Sequence, residues 1–228
     1  ASIAVVGASG RERRPGHSAI RAAMAMGYAG TIYPVTPTYE EIEGLRCYPD
    51  MASLPGPVDL AIVAGGTARM EGQLADAISN GARAALMFAN AWVAEETDPT
   101  LRTRIGDMAR EADIPLLGPN TIGYVNYAQG CAGTWVPPVS REPGPIAAII
   151  QSGSTYSYAN TLDPRVRFNL TIQPGQEAAL TVAELMDYAL EVPGTRALAV
   201  YLETVRHPEA FLAAIERAER EDVPVVVI

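Results

Sequence analysis

A glycine-rich turn near the start of the chain has the composition of a phosphate-binding loop. An apolar run at residues 2–6 leads into a Gly-Ala-Ser-Gly turn at residues 7–10, and a helical pattern begins near residue 17. In such a turn the backbone N–H groups of a helix start can approach a phosphate. Three arginines at residues 11–14 of an otherwise acidic chain indicate a polyanionic ligand, with a solvated glycine turn as the structural alternative.

The residues after the second apolar run argue against a nicotinamide dinucleotide. The glycine spacing is not Gly-x-Gly-x-x-Gly, so the dinucleotide fingerprint is absent. An NAD site also offers an Asp or Glu to the ribose at the end of the second strand. Here residues 31–35 are followed by Thr36, Pro37 and Thr38. An NAD(P)-dependent oxidoreductase is therefore disfavoured.

Three later polar segments also follow apolar runs. They are the turn that contains Asn120, the Gln-Ser-Gly-Ser segment that begins at residue 151, and Glu203. Ligands of open parallel sheets bind outside the carboxyl ends of the strands, which is where these segments fall. Each has a structural alternative: an ordinary turn for Asn120, a helix N-cap for Ser152, and an exposed strand-end carboxylate for Glu203.

Short apolar runs alternate with amphipathic helical patterns and so place each polar segment at the end of a predicted strand. The runs are continuous, as in parallel strands that helices cover on both faces. A capping box at Thr181 and Glu184, and Asp98 before Pro99, predict two helix starts. This order indicates an α/β fold with parallel sheets. The predicted strands cover residues 2–6, 31–35, 58–64, 83–89, 115–117, 146–150, 168–173, 196–202 and 223–228.

One segment interrupts this alternation. Residues 126–145 contain four prolines and three glycines and show no helical periodicity. We therefore expect a linker there, between a five-stranded domain at residues 1–125 and a domain of at least four strands at residues 146–228. The last apolar run reaches residue 228, which indicates a fragment of a longer protein.

Composition argues against several classes of partner. The 228 residues include 17 arginines, no lysine and 26 acidic residues, for a formal net charge of −9. Nucleic acids and anionic membranes need a basic face that this composition does not favour. No apolar run approaches the roughly 18–20 residues of a membrane span, and we expect no signal peptide. Cys47 and Cys131 are too few for a disulfide framework or a thiolate metal site, so we expect reduced thiols, no metal site and a cytoplasmic location.

The order and spacing of seven motifs resemble the NDP-forming acyl-CoA synthetases, the superfamily that contains the α subunit of succinyl-CoA synthetase. The resemblance covers essentially the whole chain. It implies a Rossmann-like CoA-binding domain followed by a flavodoxin-like ligase domain. The motifs are GAS at 7–9, YPVTP at 33–37, GLRCYP at 44–49, VDLAIV at 58–63, LGPNTIG at 117–123, QSGS at 151–154 and YLE at 201–203.

The resemblance implies roles for individual residues. Family members convert a carboxylic acid, CoA and ATP into acyl-CoA, ADP and phosphate through an acyl phosphate and a phosphohistidine. Glu203 would hydrogen-bond that phosphohistidine, while Ser152, Gly153 and Ser154 would hold phosphate or acyl phosphate. Residues that would contact CoA are Gly7, Ala8 and Ser9 at its phosphates, Val35, Thr36 and Pro37 near its adenosine, and Asn120 at its pantetheine arm. Many relatives carry a lysine where this chain has Thr38, so that phosphate contact would move to Arg11, Arg13 or Arg14.

Other features depart from the family pattern. His17 and His207 are the only histidines and neither stands in the phosphohistidine motif, so we expect that segment beyond residue 228. ATP and Mg²⁺ would bind an ATP-grasp domain or partner subunit outside this segment, within an oligomeric ligase. The alternative function is a non-catalytic CoA-sensing module that kept the first-domain loop and lost the chemistry.

The residues around the acid substrate also differ from the usual motifs. The segments at residues 88–92 and 175–177 depart from the family sequence, which changes the expected substrate pocket. Trp135, Tyr156 and Tyr158 are candidates for a larger aromatic pocket, with ordinary core packing as the alternative.

Overall fold

Strands and helices alternate along residues 1–161 and 165–228, the part of the chain that the computed structural model describes. The strands are β1 Ser2–Val6, β2 Thr31–Val35, β3 Glu41–Ile42, β4 Leu45–Arg46, β5 Leu60–Val63, β6 Ala85–Met87, β7 Leu116–Leu117, β8 Gly123–Asn126, β9 Cys131–Thr134, β10 Ile146–Ile150, β11 Phe168–Gln173, β12 Ala197–Tyr201 and β13 Val225–Val227. The α-helices are α1 Pro15–Ala25, α2 Thr67–Ser79, α3 Leu101–Glu111, α4 Gly153–Thr161, α5 Val182–Glu191 and α6 Pro208–Arg220, with a 3₁₀ helix at Met51–Ser53.

The first sheet has the strand order β2-β1-β5-β6-β7, and all of its pairs are parallel. β1 lies between β2 and β5, so the chain winds outward from it in both directions. In doubly wound sheets a crevice forms at this point, outside the carboxyl ends of the strands. The predicted α/β fold with a parallel sheet is confirmed.

The second sheet has the strand order β13-β12-β10-β11-β8-β9. Strands β10 to β13 are parallel, whereas β8 and β9 form an antiparallel hairpin against β11. The segment 126–145, expected to be a linker, therefore contains β9 and the end of β8. The hairpin needs a glycine at position 133, because a Cβ there would lie 2.7 Å from the ring of Tyr124. This glycine made the composition of the segment resemble that of a loop.

The structure confirms one of the two helix starts that were predicted from capping residues. The capping box of Thr181 and Glu184 is present at the start of α5, as predicted. The start predicted at Pro99 is wrong, because Thr100 caps α3 instead. Its hydroxyl accepts a hydrogen bond from the N–H of Thr103 (3.2 Å), which satisfies an N–H group that has no partner inside the helix.

Two contacts fix the second sheet against the first. Helix α1 packs on the β8–β9 hairpin through a buried cluster of Ala22, Met26, Val125, Tyr127 and Ala132. Residues 176–180 run along β7, where the N–H groups of Gln176, Ala178 and Leu180 donate to the carbonyl oxygens of Pro119 (2.7 Å), Gly118 (3.1 Å) and Leu116 (3.3 Å). These bonds hold the carboxyl ends of the two sheets next to each other.

Candidate active site

A cavity of about 520 Å³ lies at the carboxyl ends of β1, β2 and β5, and we call it the phosphate-loop cavity. It occupies the crevice that the strand order creates. Its lining contains seven of the eight residues expected to contact CoA: Gly7, Ala8, Ser9, Arg11, Val35, Thr36 and Pro37. The eighth, Asn120, lines a different cavity.

The glycine turn is packed too tightly to accept a side chain at Gly7. Gly7 has a φ of +84°, and a Cβ there would lie 3.0 Å from the backbone nitrogen of Gly65. The N–H groups of Gly7 and Ala8 both donate to the Val35 carbonyl oxygen (3.0 and 3.2 Å). They hold the turn against β2, so these two N–H groups are already paired within the protein. Arg14 at the N-cap makes no side-chain hydrogen bond to that helix start.

Three arginines, Arg11, Arg14 and Arg69, line the phosphate-loop cavity. Sequence reasoning missed Arg69, which stands in the first turn of α2. The available signal was the Gly65-Gly66 pair after β5, because it directs the start of α2 toward the same crevice. The cavity lining also includes Gln73, whose buried Oε1 has no hydrogen-bond partner among the described residues. Such an atom needs a donor from an ordered water or from a ligand.

A second cavity of about 390 Å³ lies between the carboxyl ends of the two sheets, and we call it the inter-sheet cavity. It brings together Asn120, Gly153 and Glu203, which sequence reasoning had placed on three separate segments. Ser152 and Ser154 flank Gly153 and are not part of its described lining. The full lining is Phe88, Asn120, Thr121, Ile122, Trp135, Gln151, Gly153, Gln173 and Glu203.

Local hydrogen bonds hold Ser152 and Asn120, two of the residues predicted to form the site. Ser152 Oγ accepts from the N–H of Thr155 (3.3 Å) and lies 3.1 Å from Ser154 Oγ, so it serves α4 as a cap. Asn120 has a φ of +58°, and its N–H donates to the Ala89 carbonyl oxygen (2.8 Å). The carboxylate of Glu203 is exposed at the end of β12.

The aromatic residues separate into core and cavity. Tyr156 belongs to α4 and is fully buried in the core, and burial raises the pKa of its hydroxyl. Tyr158 is exposed. Only Trp135 of the three candidates lines the inter-sheet cavity, where Phe88 joins it. The pocket of three aromatic residues expected from the sequence is therefore not formed.

Neither histidine lies in the described lining of these two cavities. His17 is buried in α1, and its Nε2 lies 2.9 Å from Glu43 Oε1. Hydrogen bonds from Arg21 and His17 lower the pKa of the Glu43 carboxyl. His207 occupies the N-cap position of α6 and makes no side-chain capping hydrogen bond there.

The described residues contain no group of three or more His, Cys, Asp or Glu side chains that could hold a metal ion. They also include no helix that is long and apolar enough to cross a membrane.

Comparison with known families identifies both halves of the chain. Residues 1–127 match the family model of the CoA binding domain. The chain belongs to this family. Residues 143–228 match the model of the succinyl-CoA ligase-like flavodoxin domain. The pairing of the two domains confirms the resemblance to the NDP-forming acyl-CoA synthetases.

Curated relatives and a solved structure extend this finding. The chain is 28% identical over 232 residues to acetate–CoA ligase [ADP-forming] II of Archaeoglobus fulgidus, with 99% of this chain and 34% of the relative covered. It is 24% identical over 229 residues to the α subunit of acetate–CoA ligase [ADP-forming] II of Pyrococcus furiosus, with 99% and 49% covered. The chain thus spans between a third and a half of these relatives. A dinucleotide forming acetyl-coenzyme A synthetase 1 of Ca. Korarchaeum cryptofilum, solved with phosphate and ADP, superposes with a TM-score of 0.88 at 26% identity, covering 100% of this chain and 49% of that one.

Proposed function

We propose that this chain is the CoA-binding and ligase portion of an NDP-forming acyl-CoA synthetase, which joins a carboxylic acid to CoA while ATP is converted into ADP and phosphate. The observation that carries the proposal is the pair of cavities at the facing carboxyl ends of the two sheets. One gathers the residues expected at the CoA phosphates and adenosine, and the other gathers Asn120, Gly153 and Glu203.

The phosphates and adenosine of CoA would bind in the phosphate-loop cavity. Its phosphates would lie at Ser9 and the start of α1, where Arg11, Arg14 and Arg69 supply positive charge. Its adenosine would lie near Val35, Thr36 and Pro37. The pantetheine arm would reach toward Asn120 in the inter-sheet cavity, where CoA would supply the thiol that accepts the acyl group.

The inter-sheet cavity suits the chemistry of a phosphohistidine ligase. A carboxylate at the position of Glu203 can orient an imidazole and stabilise its reactive tautomer. Gly153 at the start of α4 suits an acyl phosphate, because helix N-termini favour anions. His17 and His207 lie elsewhere, so the reacting histidine would come from outside these 228 residues. ATP and Mg²⁺ would bind an ATP-grasp domain or subunit. The Pyrococcus relative is an α subunit, which supports a second subunit in such a ligase.

Calorimetric titration of the 228-residue protein with CoA, NAD and NADP tests the CoA assignment. We expect saturable heat with CoA and little or none with NAD or NADP, because the residues directly after β2 are Thr36, Pro37 and Thr38, with no carboxylate for the ribose. Heat with NAD and none with CoA would contradict the proposal. A ligase assay with the ATP-grasp partner then separates the enzyme from a CoA-sensing module, which would bind CoA and form no acyl-CoA.

A further inference from the structure

The Gln151 side chain, in the lining of the inter-sheet cavity, uses its full hydrogen-bonding capacity. Its Oε1 accepts from the backbone N–H groups of Glu203 (2.6 Å) and Thr204 (2.9 Å). Its Nε2 donates to the Thr204 carbonyl oxygen (2.8 Å) and to Glu177 Oε1 (2.8 Å). A side-chain amide has two acceptor and two donor positions. This buried residue is therefore fully paired.

A buried carboxylate fixes the direction in which that amide points. The Glu177 side chain is 2% exposed, and its Oε2 accepts from the N–H of Val182 at the start of α5 (3.1 Å). Arg206 Nε lies 3.7 Å from its Oε1. An ionised carboxylate only accepts hydrogen bonds. The Nε2 of Gln151 must therefore face Glu177, which turns its Oε1 toward the loop of Glu203.

A second glutamine connects the same network to the turn before β8. Gln173 Nε2 donates to the Gln151 carbonyl oxygen (2.8 Å), and its Oε1 accepts from the N–H of Ile122 (2.8 Å). The Thr121 hydroxyl donates to the Gln173 carbonyl oxygen. The ends of β10, β11 and β12 and the turn before β8 thus belong to one hydrogen-bonded network. These segments carry most of the lining of the inter-sheet cavity.

From this geometry we infer that Gln151 is the positioning residue that holds the Glu203 carboxylate at the inter-sheet cavity, with Glu177 fixing its orientation. The inference rests on the proposed function, in which Glu203 orients the phosphohistidine. Gln151 acts through the backbone of Glu203 and Thr204 rather than through the reacting atoms. Loss of its Oε1 would remove two of the three hydrogen bonds that this side chain makes to the exposed loop.

Variants of the complete ligase that contains this chain provide the test. Gln151→Glu keeps acceptor atoms for the two N–H groups but sets a second carboxylate against Glu177. It should lower kcat at least tenfold, about 1.4 kcal/mol, while the KM for CoA changes less than about twofold. Adding Glu177→Gln restores a donor opposite the new carboxylate and should recover most of kcat. The control Gln129→Glu, which adds the same charge at an exposed position, should leave kcat unchanged.

Combining Gln151→Glu with Glu203→Gln distinguishes a positioning role of Gln151 from a general structural role. If Gln151 acts through Glu203, Gln151→Glu should lower kcat little further in a Glu203→Gln background. Three results would overturn the inference. They are fully additive effects of Gln151→Glu and Glu203→Gln on kcat, an unchanged kcat in the folded Gln151→Glu variant, and no recovery of kcat when Glu177→Gln is added to Gln151→Glu.

If Gln151→Glu does not fold, a measurement on the unaltered protein tests the inference. The amide hydrogens of Glu203 and Thr204 should exchange slowly by NMR although both side chains are exposed, because Gln151 accepts from both. Unprotected exchange at both amides would overturn the inference. Absence of acyl-CoA synthesis by the unaltered ligase would instead contradict the proposed function.

Discussion

A Cβ on Gly16 would lie 2.7 Å from the carbonyl oxygen of Gly7 and 3.1 Å from the Cα of Ala8. The start of α1 therefore presses directly on the glycine turn, and only glycine at position 16 permits this approach. The same contact brings the positive end of the helix to the phosphate-loop cavity.

Gly16→Ala should weaken CoA binding at least tenfold, which corresponds to about 1.4 kcal/mol. The added methyl group must push the helix start away from the turn and so away from the phosphates. Calorimetric titration with CoA measures the change. Gly72→Ala in α2 is the matched control, because a Cβ there meets no atom within 4 Å, and it should bind CoA like the unaltered protein. Equal affinity in a folded Gly16→Ala variant would remove the helix start from the site.

Loss of positive charge at the same cavity should weaken CoA binding in a salt-dependent manner. We expect Arg14→Gln and Arg69→Gln each to lower the affinity at least about threefold, since charged hydrogen bonds to phosphate are lost. The difference should shrink as salt screens the charges. Arg83→Gln, whose partner is Asp59 (3.3 Å) before β5, is the control and should not change the affinity. Losses of equal size at all three positions would indicate a general charge effect.

The contact between the sheets should depend on a glycine in the second domain. Gly175 has a φ of +71°, and a Cβ there would lie 2.2 Å from the Pro119 carbonyl oxygen. Gly194 also has a positive φ of +89°, but a Cβ there meets nothing within 4 Å. Both alanine variants incur the left-handed backbone cost of about 1–2 kcal/mol, and only Gly175→Ala collides.

We therefore expect Gly175→Ala to lower the free energy of unfolding by at least about 1 kcal/mol more than Gly194→Ala does. Denaturant unfolding of the two variants measures this difference. Equal losses of unfolding free energy in the two variants would mean that residues 176–180 move away from β7 without an energetic cost.

A pH-dependent contribution to stability should come from the pair that joins α2 and α3. Arg104 donates to both carboxylate oxygens of Glu71 (2.8 and 3.0 Å), which lowers the pKa of Glu71 despite partial desolvation. A carboxylate with a lowered pKa stabilises the folded state above its unfolded pKa of about 4.3, and this contribution is lost as the pH falls through the folded value. Both side chains are partly exposed, so the effect should not exceed about 1 kcal/mol.

Unfolding free energies at pH 7 and pH 3 should show this dependence. Glu71→Gln should be less stable than the unaltered protein at pH 7, and the difference should shrink toward pH 3. The control Glu95→Gln, in the exposed loop before α3, should show no such trend. A Glu71→Gln deficit that stays the same at both pH values would contradict the role of the charge.

The bounds of most strands, and the strand ends at which the candidate site residues lie, could be predicted from the sequence because both follow local signals. Each predicted strand has a counterpart within two residues at either end, since continuous apolar runs mark buried parallel strands. The hairpin β8–β9 was missed because its partner β11 lies more than 40 residues along the chain. Its glycines and its Asn126 look locally like a loop.

The supporting side chains of the site were harder to predict than the residues that line it. Gln151 and Gln173 both stand at the ends of apolar runs, which was an available signal. Their roles depend on Glu177 and on the backbone of Glu203, which meet them only in the folded sheet. Arg69 likewise reaches the phosphate-loop cavity only because β5 lies beside β1.

The 228-residue protein alone should bind CoA without completing the ligase reaction. Phosphoryl transfer through histidine needs a nucleophilic imidazole within hydrogen-bond reach of its orienting group. Neither histidine is in the described lining of the inter-sheet cavity with Glu203, because His17 is engaged with Glu43 and His207 begins α6. With acid, CoA and labelled ATP, the protein should form no acyl-CoA and keep no acid-labile phosphate. The complete ligase, assayed beside it, should take up label and lose this ability on Glu203→Gln. Stable labelling of His17 or His207 would contradict this mechanism and move the catalytic centre to that histidine.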